Sequence, residues 1–217
     1  MNKFLLTLKR KSLKKPELTS SINTKYKKGF GYYPRPFYFC YNQFMDIFII
    51  KTEDAKKVDI NLLKEFQKKE ISVQSKLETH CFSYLMVDRI LREVYKIKNR
   101  EILFANGKPK LKNGEKHFSI SHSGKYIAIC FSNHNCGIDI EKVNNKRDWR
   151  AIAERMDFKS QSEEEFYKDW TKYEAEYKLG NKGINIYQTK FDNCYISAVS
   201  ENPEELFDLY LDIKKGV

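Results

Sequence analysis

One stretch, residues 118–141, constrains the fold of this chain more than any other. An apolar run, Tyr126-Ile-Ala-Ile-Cys-Phe131, lies between Gly124 and a polar turn at residues 132–135. A short run rich in β-branched and aromatic residues, bounded by turn residues, predicts a buried strand. The segment Gly137-Ile-Asp-Ile-Glu141 follows the turn and predicts a second strand. The stretch therefore predicts a hairpin in which at least one strand is buried.

The second predicted strand carries two carboxylates at alternate positions. Ile138 and Ile140 alternate with Asp139 and Glu141. A period of two predicts that the isoleucines face the core and that both carboxylates lie on the solvent side of the strand. Two like charges on one face repel unless a cation lies between them, and paired carboxylates suit a divalent ion such as Mg²⁺. An ordinary solvated strand face is the alternative interpretation.

A downstream segment, residues 163–179, is rich in helix formers and contains Trp170-Thr-Lys-Tyr-Glu-Ala-Glu-Tyr-Lys178. Glu174 and Lys178 are four residues apart, so they project from the same helix face. They form either an ordinary exposed ion pair or a third carboxylate and an ammonium that face a phosphate ester. Ser162, with Glu165 three residues later, predicts the helix start, and Gly180 predicts its end.

The rest of the chain predicts a mixture of helices and strands. Other predicted strands cover residues 46–50, 101–105, 187–191, 195–199 and 207–211, and other predicted helices cover residues 59–69, 77–95 and 149–158. Asp59 is the expected N-cap of the first of these helices. A turn at Asn106-Gly107 is expected to present Lys108.

The formal net charge of +11 is concentrated at the N-terminus. Residues 1–43 contain ten Lys and Arg residues and a single acidic residue, Glu17. Such an arm suits nucleic acid or an acidic partner, or it is a flexible tail without a partner or an upstream start before Met45. An organelle transit sequence is less typical, because such sequences are rich in Arg rather than Lys. No apolar run is long enough for a membrane span or a secretory signal, which predicts a cytoplasmic location.

The five cysteines occur at positions 40, 81, 130, 136 and 194, with no Cys-x-x-Cys pair. An odd number and this spacing argue against a disulfide framework and against a structural zinc site. We therefore expect buried cysteines that act as small hydrophobic residues.

Four motifs occur in one order: Gly107-Lys-Pro-Lys-Leu111, Phe118-Ser-Ile-Ser-His-Ser123, Gly137-Ile-Asp-Ile-Glu141 and Trp170–Lys178. Together they resemble the 4′-phosphopantetheinyl transferases of the longer, surfactin-synthetase-activating (Sfp) type, over about residues 45–200. The resemblance implies an α+β fold of two similar halves in a pseudo-twofold arrangement. It places the first half at residues 45–116 and the second at residues 117–217, after a basic extension at residues 1–44.

The resemblance also implies a function. The expected enzyme moves phosphopantetheine from coenzyme A to a serine of an apo acyl or peptidyl carrier protein, releases 3′,5′-ADP and needs Mg²⁺ or Mn²⁺. The metal ligands implied are Asp139, Glu141 and Glu174; the catalytic residues implied are Glu174, Lys178 and His122; the coenzyme A contacts implied are Lys108, Ser121, His122 and Lys178. An acidic carrier protein is expected to engage residues 180–191, and the protein is expected to be a monomer without a membrane or nucleic-acid partner.

The last motif departs from the family, because Tyr173 precedes Glu174 where the family usually has a lysine. One basic contact to the coenzyme phosphates is therefore missing or replaced. Two other functions fit the same residue types: a metal-dependent nuclease that uses the carboxylates, and a non-catalytic protein that binds nucleic acid through the basic arm.

Overall fold

The structure, a computed structural model, describes residues 5–10, 44–66, 73–105, 107–202 and 205–214. The strands are β1 (Leu5–Arg10), β2 (Phe44–Lys51), β3 (Ile102–Ala105), β4 (Lys108–Leu111), β5 (His117–Ser123), β6 (Tyr126–Ser132), β7 (Cys136–Lys142), β8 (Asn185–Phe191), β9 (Cys194–Ser200) and β10 (Glu205–Lys214). The helices are α1 (Ile60–Lys64), α2 (Gln74–Glu93), α3 (Trp149–Arg155) and α4 (Glu163–Leu179), and a 3₁₀ helix covers Thr52–Lys57.

The strands form two sheets and one separate hairpin. The large sheet has the order β1-β10-β2-β6-β5, in which β10 and β2 are parallel and the other neighbours are antiparallel. The small sheet has the antiparallel order β7-β9-β8, and β3 pairs with β4. Helices and largely antiparallel sheets together make this an α+β fold.

The predicted hairpin between residues 118 and 141 is wrong in its pairing. Both strands exist, but β6 pairs with β2 and β5 in the large sheet, whereas β7 pairs with β9 in the small sheet. The polar turn at residues 133–135 therefore carries the chain from one sheet to the other. All seven residues of β6 are buried, because this central strand is covered on both faces.

Alternate residues of β2 and β6 supply two different cores. Phe48 and Phe131 belong to the core that α2 covers, on one face of the large sheet. Ile47 and Cys130 face the other way and pack against β7 and β9. The large sheet thus lies between a helix layer and the small sheet, which holds β7 in a fixed position.

Helix α4 packs against the small sheet on the face away from the large sheet. Ser162 Oγ caps its first turn by accepting a hydrogen bond from Glu165 N (3.2 Å), and Gly180 ends it with a φ of 87°. A Cβ atom at Gly137 would lie 2.0 Å from Ala175 O, so only glycine lets α4 approach β7 this closely. The boundaries predicted for this helix are confirmed.

Other predicted elements are present with changed bounds. Asp59 is the N-cap of α1, as expected, but the helix ends at Lys64, and residues 67–72 lie outside the described residues. Leu5–Arg10, within the predicted basic extension, pairs with β10, and residues 11–43 lie outside the described residues. Since β5 and β6 share a sheet with β2, the proposed halves are joined by strand pairing, and the division into halves stays a prediction. No helix in the described part of the chain is long and apolar enough to cross a membrane.

Candidate active site

Asp139 lies at the centre of the candidate site, on β7. It is only 5% exposed, and its Oδ1 accepts hydrogen bonds from Lys178 Nζ and from Ser121 Oγ, both at 2.7 Å. The expectation that this carboxylate lies on the solvent side of its strand is therefore wrong, because α4 covers that face. Its Oδ2 is buried and has no hydrogen-bond partner in the described structure, which is costly for a carboxylate oxygen.

Three alternating serines of β5 join the large sheet to β7. Ser119 Oγ accepts a hydrogen bond from Ile138 N at 3.2 Å, Ser121 Oγ donates to Asp139, and Ser123 Oγ donates to Glu141 Oε2 at 3.2 Å. Side chains thus replace backbone pairing between these two strands. The signal was visible in the sequence as a serine at every second position of residues 119–123.

His122 occupies the opposite face of β5 from Ser121, because successive strand residues alternate. Its side chain is exposed, whereas Phe118 and Ile120, which share its face, pack against the core beneath α2. The structure therefore brings Ser121, but not His122, onto Asp139.

Helix α4 places Lys178 and Glu174 over β7. Lys178 Nζ donates to Ile138 O at 3.1 Å in addition to Asp139, and its side chain is 28% exposed. Glu174 is half-buried. Burial raises the pKa of the Glu174 carboxyl, the Asp139 charge raises it further, and Lys178 opposes the shift.

Glu141 is the third predicted carboxylate, and besides burial the negative charge of Asp139 also raises its pKa. Burial raises its pKa first, Arg147 opposes that rise, and Asp139 adds to it. Arg147 Nη2 lies 3.6 Å from Glu141 Oε2, a partner that no pattern in the sequence indicated. Among the described residues, no three His, Cys, Asp or Glu side chains converge closely enough to hold a metal ion.

A cleft of about 690 Å³ lies beside this cluster. Residues that line it include Tyr84, Gly107, Lys108, Phe118, Tyr177 and Lys178. Two cations that come from separate motifs, Lys108 and Lys178, thus share one cleft. Ammonium groups along a concave surface suit a ligand with several phosphates.

The side chain of Lys108 is anchored by the turn that connects the two sheets. Its Nζ donates to Asn135 Oδ1 at 2.6 Å and to Cys136 O at 3.1 Å, and burial lowers its pKa. Asn135 Nδ2 donates in turn to Leu179 O at 2.9 Å, next to Lys178. Asn135 therefore links Lys108 to the C-terminal end of α4 through contacts that no local pattern predicts.

No protein-family model matches the chain. Curated proteins named 4′-phosphopantetheinyl transferase are similar to part of it. The protein psf-1 of Bacillus pumilus is 33% identical over 122 residues, which is 49% of this chain and 52% of that protein. The protein gsp of Aneurinibacillus migulanus is 34% identical over 116 residues, 47% of this chain and 48% of that protein. Sfp of Bacillus subtilis (strain 168) is 27% identical over 115 residues, 47% of this chain and 51% of that protein.

The chain is related to the Sfp-type 4′-phosphopantetheinyl transferases. This relationship confirms the resemblance. The chain spans about half the length of the curated relatives it matches.

Tyr173, at the position where the Sfp-type family usually has a lysine, lies at the edge of an aromatic group. Its ring is 6.0 Å from that of Phe158 and 6.4 Å from that of Trp170, measured between centroids. The residue is nevertheless 42% exposed. Its hydroxyl can donate a single hydrogen bond and carries no charge at neutral pH, unlike an ammonium.

A second cleft, of about 530 Å³, lies beside Glu141 and away from Lys108. It is lined by polar and basic residues, among them Lys142, Lys146 and Arg147. Basic residues thus line two clefts, one that includes Lys178 and one that includes Glu141.

Proposed function

We propose that this protein is a 4′-phosphopantetheinyl transferase with holo-[acyl-carrier-protein] synthase activity. The hydroxyl oxygen of a carrier serine bonds to the β-phosphorus of coenzyme A, the bond from that phosphorus to the bridging oxygen breaks, and 3′,5′-ADP leaves. The observation that carries the proposal is the cleft shared by Lys108 and Lys178, with Lys178 paired to Asp139. The relationship to the Sfp-type transferases supports the same reaction.

The two lysines are proposed to hold the phosphates of coenzyme A. Lys108 would contact the 3′-phosphate end, and Lys178 would contact the pyrophosphate and protonate the departing oxygen. Fixed cations inside a cleft stabilise developing phosphate charge more strongly than cations in water do. His122, from the exposed face of β5, would donate a hydrogen bond to a phosphate oxygen. Ser121 would do the same only by giving up its hydrogen bond to Asp139, because its hydroxyl has a single hydrogen.

Glu174 is proposed to take the proton from the carrier serine. A general base works best when its pKa lies near the working pH, and burial together with the Asp139 charge shifts the pKa of Glu174 upward in that direction. Asp139 would position the ammonium of Lys178 through their 2.7 Å contact.

We further propose that Asp139, Glu141 and Glu174 would hold Mg²⁺ or Mn²⁺ once their side chains turn closer together than they lie in the described structure, where no three such groups converge. The support is electrostatic, since the Asp139 charge raises the pKa of both glutamates and a cation would relieve that repulsion. The buried Oδ2 of Asp139, which lacks a protein partner among the described residues, is a suitable ligand atom for a hard cation. When bound, the ion would offset the charge of the pyrophosphate.

The proposed protein partner is an acidic acyl or peptidyl carrier. Residues 180–191, which follow α4, contain Lys182 and Lys190, and Ile184 in this segment is 72% exposed. A basic surface with an exposed apolar residue suits an acidic partner helix. We also propose that the enzyme acts as a cytoplasmic monomer.

The pseudo-twofold arrangement of two α+β halves is likewise proposed. Each sheet carries one long helix, α2 on the large sheet and α4 on the small sheet, which supports such an arrangement.

One assay tests the function. The full chain is incubated with coenzyme A, Mg²⁺ and an apo carrier protein, and the carrier mass is measured. The expected result is a mass gain of one phosphopantetheine on the carrier serine, absent when that serine is replaced by alanine. A folded protein that leaves apo acyl and peptidyl carriers unmodified, yet binds nucleic acid in a salt-sensitive manner, would support the alternative function instead.

A further inference from the structure

Two cysteines beside the candidate site are in sulfur contact. Cys130 Sγ and Cys136 Sγ are 3.5 Å apart, and both residues are fully buried. The other described cysteines, Cys81 and Cys194, are also buried thiols, and Cys40 lies outside the described residues. The prediction that the cysteines are buried is confirmed for these four residues. It does not explain why two of the thiols are in contact.

We propose that Cys130 and Cys136 are an oxidative modification site. A peroxide oxidises the two thiols, which then form a reversible disulfide with each other. One sulfur attacks the peroxide, which gives a sulfenic acid and water or an alcohol. The second sulfur then displaces the hydroxyl group as water and forms the S–S bond. The two thiols lose two hydrogens and the peroxide is reduced. Because both thiols are buried, the oxidant must be as small as hydrogen peroxide.

Disulfide formation requires a movement, and the structure indicates which residue moves. An S–S bond is about 2.05 Å long, so the sulfurs must approach by roughly 1.5 Å. Cys130 lies inside β6, paired with Ile47 on one side and Ser119 on the other. Cys136 is the first residue of β7 and directly follows the turn at residues 133–135. The movement therefore falls mainly on Cys136 and this turn.

The same turn anchors Lys108. The ammonium of this lysine donates to Asn135 Oδ1 and to Cys136 O, and Asn135 also bonds to Leu179 at the end of α4. A shift of Cys136 thus changes the position of Lys108 in the cleft. This step rests on the proposed function, under which Lys108 contacts coenzyme A. Oxidation is then expected to weaken the binding of coenzyme A.

Peptide mapping tests the disulfide without reference to the function. The full chain is treated with hydrogen peroxide, alkylated after denaturation and digested with trypsin. Both cysteines fall on the single peptide 126–142, because no Lys or Arg lies between its ends. The expected result is a loss of two hydrogens on this peptide, reversed by dithiothreitol, while Cys81 and Cys194 remain alkylated. Alkylation of both thiols on this peptide, or oxidation of all buried cysteines at one rate, would overturn the proposal.

Two variants serve as controls. Cys136→Ala is expected to abolish the disulfide, and Cys194→Ala, a matched buried position, is expected to retain it. Melting temperatures show whether each variant is folded, and Cys130→Ala provides a second test if Cys136→Ala is unstable.

Calorimetry with coenzyme A then tests the link to Lys108. We expect Kd to rise several-fold on oxidation and to recover on reduction, with no change in Cys136→Ala. An unchanged Kd in fully oxidised protein would refute the link, whereas reduced protein that binds no coenzyme A would refute the proposed function and leave the disulfide standing.

Discussion

The two long helices of this molecule pack against their sheets with different surfaces. Helix α2 covers the large sheet mainly with apolar side chains, among them Phe82, Met86, Ile90 and Leu91, each no more than 1% exposed. Apolar burial of this kind stabilises a fold without demanding particular partners. The surface beneath α2 is therefore a stability interface.

Helix α4 also buries apolar side chains, among them Phe166, Ala175 and Leu179, but polar and charged contacts lie beside them. Thr171 Oγ1 lies 2.7 Å from Ser197 Oγ with both residues fully buried, and Lys178 reaches down to Asp139. Buried charges and unpaired oxygens cost stability, so a chain keeps them where they serve chemistry. The contrast teaches that α2 mainly maintains the fold, although its Tyr84 lines the cleft, whereas α4 presents the charged groups of the site.

The largest expected effect comes from removing the central charge beneath α4. Asp139→Asn keeps the size of the side chain and an acceptor for Ser121 but leaves Lys178 without its carboxylate. We expect the transfer rate to fall about 10³-fold, equivalent to about 4 kcal/mol of transition-state stabilisation. Rates of transfer to an apo carrier, together with melting temperatures, measure this effect.

Asp139→Ala is a harsher version of the same change. Because Asp139 is buried and hydrogen-bonded, this variant is expected to lose stability as well as activity. A folded Asp139→Asn variant with full activity would show that α4 and β7 form only a structural interface.

The next effect concerns α2, where we expect a substitution to lower stability but to leave transfer activity unchanged. Ile90→Ala removes a fully buried side chain from the apolar interface. We expect a loss of about 3 kcal/mol in the free energy of unfolding, with unchanged transfer activity per folded molecule. Urea unfolding and titrated activity measure the two quantities. A drop in specific activity at unchanged fold would mean that the buried apolar face of α2, and not only Tyr84, shapes the site.

The α4 interface could be predicted from sequence in part. Ser162 and Gly180 gave the correct ends of α4, and the spacing of Glu174 and Lys178 placed both on one face. These features are local, since caps and helical spacing depend on residues within a few positions of one another.

The partners of these residues could not be predicted in the same way. The sequence showed β6 and β7 as strands separated by a turn, but strand pairing depends on the rest of the sheet, so the expected hairpin was wrong. The burial of Asp139 depends on α4, which begins more than twenty residues later. The contact of Lys108 with Asn135 likewise joins residues 27 positions apart.

A smaller effect tests whether the charges beneath α4 cost stability. The pKa of Glu174 is raised in the folded state, so the folded protein binds a proton here more readily than the unfolded chain. This contribution to stability is complete below the ordinary pKa of the carboxyl and is lost as the pH rises through the raised folded value. Glu174→Gln, measured with a chelator, is therefore expected to raise Tm at pH 7 and to change it little near pH 4.

Glu164→Gln on the same helix is the matched control. Its carboxylate is exposed, and a hydrogen bond from Lys168 lowers its pKa, so this substitution is expected to lower Tm slightly or leave it unchanged at pH 7. If both variants shift Tm in the same direction, Glu174 is not destabilised by its surroundings. Loss of transfer in Glu174→Gln would accompany the gain in stability under the proposed function.

The smallest expected effect concerns Tyr173, which lies on α4 but outside its buried polar contacts. Tyr173→Lys restores the cation that the Sfp-type family usually carries. A charge-assisted contact in place of a neutral one is expected to lower KM for coenzyme A several-fold, about 1 kcal/mol, with a smaller change in kcat, because the contact acts on bound substrate as well as on the transition state.

The exposure of Tyr173 determines how much Tyr173→Lys lowers the stability of the fold. At 42% exposed, a lysine here keeps its ammonium in water, so the only loss is the packing against Phe158 and Trp170, and Tm should fall slightly. Lys172→Ala is the companion variant, because a rise in its KM would show that the neighbouring lysine already supplies the missing cation. A lower Tm with an unchanged KM in Tyr173→Lys would make Tyr173 a packing residue, and the part of α4 proposed to bind coenzyme A would then end at Glu174.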